Sequence, residues 1–179
     1  VVKASHEACP LNLAPTSSTT ATLAMGDALA CALIEMRHFQ AKDFAQFHPG
    51  GTLGKRLLTT AHDVMRSNDL PVIPPGMKLG EAIIHVSKGK LGLCVAMVND
   101  KVVGLITDGD VRRAMESLQD KFFNVPVEQV MTRTPKCVSP DTKIAKIQDI
   151  MHNNKIHTVL VVDEDRHLLG VVDHFSCMF

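Results

Sequence analysis

The chain has 179 residues, in which 19 Lys and Arg residues are balanced by 19 Asp and Glu residues. This length allows one ordinary domain or two to three small ones with a buried core, and the balanced charge argues against nucleic acid or an anionic membrane as a partner. Five scattered cysteines, and apolar runs well short of the roughly 20 residues of a bilayer span, predict free thiols, a reducing cytoplasmic location and no membrane segment.

The two ends of the chain have the pattern of interrupted elements. Residues 1–5 read Val-Val-Lys-Ala-Ser, which resembles the middle of a strand and lacks an initiator Met, a basic leader and the apolar core of a signal peptide. The last residues, 171–179, stop where a closing helix is expected. We therefore expect the chain to begin inside one domain and to end inside another.

Two helices are predicted after the amino-terminal strand. Hydroxyl residues occupy positions 16–20 and precede the Ala-rich segment 21–36, which is apolar on almost every face. Ser and Thr favour helix N-caps, so this helix should begin within residues 15–20, and its apolar surface predicts burial on all sides. A short helix is expected over residues 41–47, and His48-Pro49-Gly50-Gly51 should end it in a loop.

A repeat begins near residue 63. Val64-Met65 recurs 66 residues later as Val130-Met131, and Gly104-Leu105-Ile106 recurs at the same spacing as Gly170-Val171-Val172. Each unit shows a Pro-containing extended stretch, an amphipathic helix and two apolar strands, and a further helix closes the first unit. The predicted segments are 71–75, 79–87, 94–98, 102–107 and 110–117 in the first unit, and 135–140, 144–153, 158–163 and 168–172 in the second. Units of about 60 residues are marginal alone, so the two should pack as a pair.

This part of the chain resembles the cystathionine-β-synthase-type (CBS) domain pair. The resemblance is carried by the Val-Met openings, the order of the elements and the sequence Gly-Leu-Ile-Thr-Asp-Gly-Asp-Val at 104–111. It implies a cleft between the units in which Thr107 and Asp110 contact an adenosine-type nucleotide, or a sugar nucleotide. Capping of the following helix is the alternative role for this pair. The second unit has Asp173 and Ser176 at these positions, so at most one good pocket is expected.

Three features near the amino end indicate a second candidate site. Glu7 follows the predicted strand directly, at the edge where open α/β sheets bind ligands. Free amides and the helix dipole favour a phosphate at a helix N-terminus, although plain capping is again the alternative. His48 lies in a loop rather than on a helix face; it could move protons together with Glu7, or it could be structural. The hydroxyls at the helix start belong to Thr16, Ser17, Ser18, Thr19 and Thr20.

Two other kinds of site find no support. The segment Gly-Gly-Thr-Leu-Gly-Lys-Arg at 50–56 departs from the phosphate-binding loop pattern, because the first required Gly falls on Pro49 and Arg56 follows Lys55 where a Ser or Thr is needed. The His and Cys residues show no metal-ligand spacing. We expect no metal and no other cofactor.

The amino-terminal motifs resemble the arabinose-5-phosphate isomerase family. The matching sequences are Glu-Ala-Cys-Pro-Leu at 7–11, Leu-Ala-Pro-Thr-Ser-Ser-Thr-Thr at 13–20, Met-Gly-Asp-Ala-Leu at 25–29 and His-Pro-Gly-Gly at 48–51. In that family a sugar-isomerase (SIS) domain, a five-stranded parallel sheet flanked by helices, precedes a CBS pair and assembles as a tetramer. The resemblance implies the carboxyl-terminal part of a SIS-type parallel α/β sandwich in residues 1–60, followed by a tandem α+β CBS pair in residues 63–124 and 125–179.

The same resemblance implies a function. The family interconverts D-ribulose 5-phosphate and D-arabinose 5-phosphate for Kdo synthesis, for lipopolysaccharide or capsule. Its motifs place the catalytic His on His48 and one catalytic acid on Glu7, while a further Lys, a further Glu and a Ser-rich phosphate loop lie upstream in the family. The CBS pair would then tune activity or assembly, and the chain alone is expected to be inactive.

Two other functions remain open at this point. The chain could be a regulatory module that senses a nucleotide or sugar nucleotide without catalysis. It could also be a purely structural oligomerisation pair.

Overall fold

The computed structural model describes residues 1–178. The chain divides into two compact units, Val1–Pro49 and Gly50–Phe179, and Phe179, the last residue of the predicted second CBS domain, lies outside the described residues. The predicted boundaries near residues 60–63 and 124–125 stay predictions. Residues 50–60, which the sequence assigned to the first domain, group with the second unit.

The first unit is helical. Helix α1 spans Ser17–Met36 and α2 spans Ala41–Phe47, so both predicted helices and the loop that follows are confirmed. No strand forms within residues 1–49, and the strand expected at residues 1–5 is therefore wrong for this chain. A strand needs a neighbouring strand to satisfy its backbone N–H and C=O groups, and residues 1–49 provide no such partner for residues 1–5.

Helix α1 also differs from the prediction in its burial. None of its residues is buried, and its large apolar side chains, such as Leu29 at 58% exposure, face solvent. The prediction of a helix buried on all sides was therefore wrong here, because burial requires packing partners that residues 1–178 do not supply. By length and composition alone this helix could cross a membrane. A core helix of a larger domain passes the same test, so the absence of a membrane partner stays a prediction.

The second unit contains two copies of one module. Helices α3 (Thr52–Leu58) and α4 (Ala61–Val64) lead into it. The first module comprises β1 (Val72–Ile73), α5 (Leu79–Gly89), β2 (Leu93–Val98), β3 (Lys101–Thr107) and α6 (Asp108–Leu118). The second comprises β4 (Cys137–Val138), α7 (Ile144–Asn154), β5 (Thr158–Val162) and β6 (Leu168–Asp173). These bounds confirm the predicted repeat to within about two residues at most ends; α3 and α4 were not predicted.

Both modules have the same sheet topology. The strand orders are β1-β2-β3 and β4-β5-β6, with the first pair parallel and the second antiparallel in each. An irregularity in register follows Ala96 in one module and Val161 in the other. The hairpin between β2 and β3 turns on Asn99 and Asp100, both with positive φ, which gives the right-handed strand twist that a two-residue turn needs.

The segment that opens each module packs on the other module. Arg66 pairs with Val171 of β6, and Thr132 pairs with Leu105 of β3. A side chain at Gly170 would lie within 3.0 Å of Met65, and one at Gly104 would collide with Met131. The recurring Met and Gly positions therefore form one kind of packing contact, in which the Met of one module packs on the Gly of the other. This contact occurs twice.

Three clusters of buried side chains form the core of the second unit. One lies under α5 and includes Leu79, and a second lies under α7 and includes Ile144. The third joins both sheets through Leu93, Val95, Val102, Leu160 and Val171. Helices α5 and α7 bury residues at the i, i+3 and i+7 positions of one face, which is the amphipathic pattern that the sequence predicted.

Candidate functional site

Glu7 caps helix α1. Its Oε2 accepts hydrogen bonds from the backbone N–H of Thr16 at 2.6 Å, from the Thr16 hydroxyl at 3.1 Å and from the backbone N–H of Ser18 at 3.2 Å. The Thr16 hydroxyl in turn accepts from the backbone N–H of Ala8 at 2.8 Å. Hydrogen bonds from the Ser18 side chain and the Thr16 backbone lower the pKa of Glu7 from 4.5 to about 2.

Glu7 and the hydroxyl cluster were predicted as two parts of one site, and the structure brings them into direct contact. The helix N-terminus that was expected to hold a phosphate holds this carboxylate instead. Of the hydroxyls, Thr19 and Thr20 donate to the backbone carbonyl of Thr16 at 2.8 and 3.0 Å. An open groove of about 690 Å³ runs beside the same residues. The site is thus an anion-binding helix end occupied by a group of the chain itself.

His48 lies at the end of α2. Its ring stacks on Phe44 with a centroid distance of 4.4 Å and an interplanar angle of 11°, and its backbone N–H donates to the Phe44 carbonyl. The residue is exposed. Within residues 1–178, no hydrogen bond joins His48 to Glu7 or to the hydroxyl cluster. The structure therefore does not bring the two predicted catalytic residues into contact.

Thr107 and Asp110 form a reciprocal cap at the start of α6. Asp110 Oδ2 accepts from the backbone N–H and the hydroxyl of Thr107 at 2.9 and 2.7 Å, and the Thr107 hydroxyl accepts from the backbone N–H of Asp110 at 3.2 Å. Arg113 donates to the other carboxylate oxygen at 2.6 Å. Both oxygens of Asp110 are thus engaged, which is the capping role that the sequence left open.

The second module carries a related cap in which the order of the carboxylate and hydroxyl residues is exchanged. Asp173 Oδ1 accepts from the backbone N–H of Ser176 at 2.7 Å and from its hydroxyl at 2.8 Å. The carboxylate therefore stands at the first position of the pair rather than the fourth. The exposed rings of His157 and His174 meet edge to face beside it, with centroids 6.2 Å apart.

The structure adds one functional feature that the sequence did not show. Glu7 and Thr16 are nine residues apart, so no local capping pattern links them, and only the fold of the intervening loop brings them together. The reversed cap of Asp173 and Ser176 was visible as an Asp and a Ser three residues apart. No group of three or more potential metal ligands occurs within residues 1–178.

A family model for the CBS domain matches residues 61–117 and 127–177. Among curated relatives, the chain is 42% identical over 171 residues to a probable arabinose 5-phosphate isomerase of Haemophilus influenzae, covering 96% of the chain and 50% of that protein. It is 46% identical over 170 residues to the arabinose 5-phosphate isomerase KdsD of Pseudomonas aeruginosa, covering 94% of the chain and 52% of that protein. The chain spans about half the length of the curated relatives it matches.

Solved structures give the same fold for the second unit. The CBS domain pair of protein MJ0100, in complex with 5′-methylthioadenosine and S-adenosyl-L-methionine, superposes with a TM-score of 0.61. The match covers 66% of this chain and 92% of that one, at 22% sequence identity. This likeness supports the fold of the paired modules.

Proposed function

This chain belongs to the CBS domain family, and we propose that it is the carboxyl-terminal half of a D-arabinose-5-phosphate isomerase. The observation that carries this proposal is that the similarity to proteins of that name extends over almost the whole chain. The alignments cover 94 to 96% of the chain, so they include most of residues 1–60 as well as the CBS pair. A CBS pair attached to an unrelated domain would match only over its own residues.

In this proposal the first unit completes a SIS-type parallel α/β sandwich. The exposed apolar side chains of α1, including Leu23, Leu29 and Leu33, are then core residues of the whole domain. Burial of a Leu side chain is worth about 1.5 to 3 kcal/mol, so a helix with this surface is more stable inside a larger core. The whole protein would be a cytoplasmic homotetramer.

The isomerisation requires few catalytic groups. Removing a proton from C1 of the ketose gives an enediolate, and returning a proton to C2 while the hydroxyl proton moves between the two oxygens gives the aldose. An imidazole can accept and return such protons near neutral pH. We assign this role to His48, with Glu7 as an acidic partner and with Thr16, Ser17, Ser18 and Thr19 at the substrate phosphate. The reaction needs no redox cofactor.

The capping contact of Glu7 implies that the substrate phosphate binds before Glu7 acts in proton transfer. A carboxylate with a pKa of about 2 is a weak base, and it occupies the amides that a phosphate would use. Binding of the substrate phosphate at the α1 N-terminus would displace Glu7 from Thr16 and Ser18. The pKa of Glu7 would then rise toward its ordinary value, and the carboxylate would become available for proton transfer.

The test of the isomerase proposal uses the full-length protein and the conversion of ribulose 5-phosphate to arabinose 5-phosphate. His48→Ala should lower kcat by about 10² to 10⁴, the usual contribution of a general acid or base. Exposed His152 in α7 offers a matched control, and His152→Ala should leave kcat unchanged. Circular dichroism checks the fold of both variants. A folded His48→Ala protein with normal kcat would remove His48 from catalysis.

A second function follows from the CBS pair itself. The MJ0100 pair was solved in complex with adenosine derivatives. Thr107 and Asp110 lie at the start of α6, the position that the family resemblance assigns to the nucleotide. We propose that this pair senses a nucleotide or sugar nucleotide at the first module. AMP should raise the melting temperature of the chain, and Asp110→Asn should remove that shift while Asp173→Asn keeps it. An AMP shift that survives Asp110→Asn would contradict this assignment.

A further inference from the structure

A basic depression lies in the first CBS module. It has a volume of about 490 Å³ and is formed by the segment from Arg66 to Pro71 together with the end of α5 and its cap. Its basic residues are Arg66, His85, Lys88 and Lys90, and its single acidic residue is Asp69. The chain as a whole carries equal numbers of basic and acidic residues, so the overall composition does not require this excess.

Arg66 is fixed in place without being neutralised. Its guanidinium donates to the backbone carbonyls of Asn68 at 3.1 Å, Gly89 at 2.9 Å and Asp69 at 3.2 Å. The two ion pairs found within residues 1–178 involve other residues. Five N–H groups are available on a guanidinium, so donors remain after these three bonds. The bond to Gly89 also satisfies a carbonyl at the end of α5, which reduces the negative potential expected there.

The backbone around the depression is tightly packed. A Cβ atom at Gly89 would lie 2.7 Å from Pro71 Cβ, and the Pro71 carbonyl accepts from the backbone N–H of Val95 at 2.8 Å. Lys90 ends α5 in the left-handed conformation, with φ of 56°. The cations therefore project from a framework that needs little reorganisation to bind a ligand.

The second module shows that the fold does not demand these charges. Helices α5 and α7 align along their whole length, and Arg66 and Thr132 make equivalent strand pairings. At the positions of Arg66, His85 and Lys88 the second module has Thr132, Ile150 and Asn153. Lys155 retains the position of Lys90, and Lys136 replaces Pro71. The set of three cations and one histidine is thus peculiar to the first module.

We infer that this depression is a second anion site, which binds the phosphate group of a phosphorylated metabolite. Arg66 supplies a preorganised guanidinium, and Lys88 and Lys90 supply exposed ammonium groups, which is a combination suited to a phosphate dianion. The capping pair Thr107 and Asp110 is not part of the lining of this depression. The inference holds whether or not the whole protein is an isomerase.

The test is a titration of the ¹⁵N-labelled chain with inorganic phosphate, at constant ionic strength maintained with chloride. Backbone amides of residues 66–71 and 88–90 should shift with a saturable dependence on phosphate. The double variant Lys88→Gln/Lys90→Gln should weaken this binding by at least about tenfold, the effect of losing about 1.4 kcal/mol. Lys155→Gln, at the position equivalent to Lys90, is the matched control and should bind as the parent chain does.

Three outcomes would overturn the inference. Equal shifts with chloride would show a general salt effect. Unchanged phosphate affinity in the double variant would remove Lys88 and Lys90 from binding. Loss of phosphate binding in Asp110→Asn, with the double variant unaffected, would place the phosphate at the nucleotide cleft instead.

Discussion

The two compact units differ in how far their apolar residues are buried. The second unit buries them: Leu79 and Ile144 are fully inaccessible, and three clusters of buried side chains run through both modules. The first unit has an equally apolar helix, yet none of the residues of α1 is buried. Local sequence is therefore enough to form a helix, but burial of α1 would need packing partners that residues 1–178 do not supply.

The largest expected contrast comes from one substitution in each unit. Leu79→Ala should lower the free energy of unfolding of the second unit by about 2 to 5 kcal/mol, because it leaves a cavity in a packed core. Leu29→Ala, at a side chain 58% exposed, should change stability by less than about 0.5 kcal/mol. Urea denaturation followed by circular dichroism measures both. Equal losses would mean that α1 is packed in this chain after all.

The contacts between the Met of one module and the Gly of the other should give the next largest effect on stability. Gly104→Ala places a methyl group against Met131, and Gly170→Ala places one against Met65. Overpacking of this kind costs about 1 to 3 kcal/mol, and both variants should lose stability to a similar extent because the contact is made twice. Gly26→Ala in α1, where nothing lies within 4 Å, is the control and should not destabilise the chain. Unchanged stability in both the Gly104 and the Gly170 variants would contradict the packing of each module's opening segment on the other module.

The caps made by Asp110 and Asp173 should contribute smaller amounts. Asp110→Ala and Asp173→Ala each remove the acceptor of a side-chain cap, which costs about 0.5 to 2 kcal/mol. Thermal unfolding should show a decrease for both, and the larger one for Asp110→Ala, because that substitution also removes the contact with Arg113. A loss at Asp110 alone would mean that the reversed cap stabilises nothing.

The smallest effect, and the one specific to the first unit, is the pH response of Glu7. Its pKa is lowered from 4.5 to about 2 by hydrogen bonds in the folded state, so the cap stabilises α1 above about pH 4.5 and loses this effect as the pH falls toward 2. The ¹³C shift of the Glu7 carboxyl should titrate with a midpoint near 2. A midpoint near 4.5 would show that the carboxylate is not held at the helix start.

The fold was predictable where the determining signal is local or repeated. The Pro-Gly-Gly loop fixes the end of α2, and the recurrence of Val-Met and Gly positions revealed the paired modules. Helix α3 was not predicted, because the Gly and Lys residues of its segment suggested only a phosphate-binding loop, although Leu53 and Leu57 are one helical turn apart. The site was less predictable, because contacts between distant residues, such as Glu7 with Ser18, depend on the path of the loop between them.

The most direct test of the account is the conversion of ribulose 5-phosphate to arabinose 5-phosphate by this chain alone and by the same chain joined to the amino-terminal half of the Pseudomonas aeruginosa relative. We predict turnover by the joined protein, its loss in His48→Ala, and none by the chain alone. A joined protein that folds and assembles as the intact relative does but shows no turnover would contradict the isomerase proposal. Turnover by the chain alone would contradict the claim that its active site is completed by the other half.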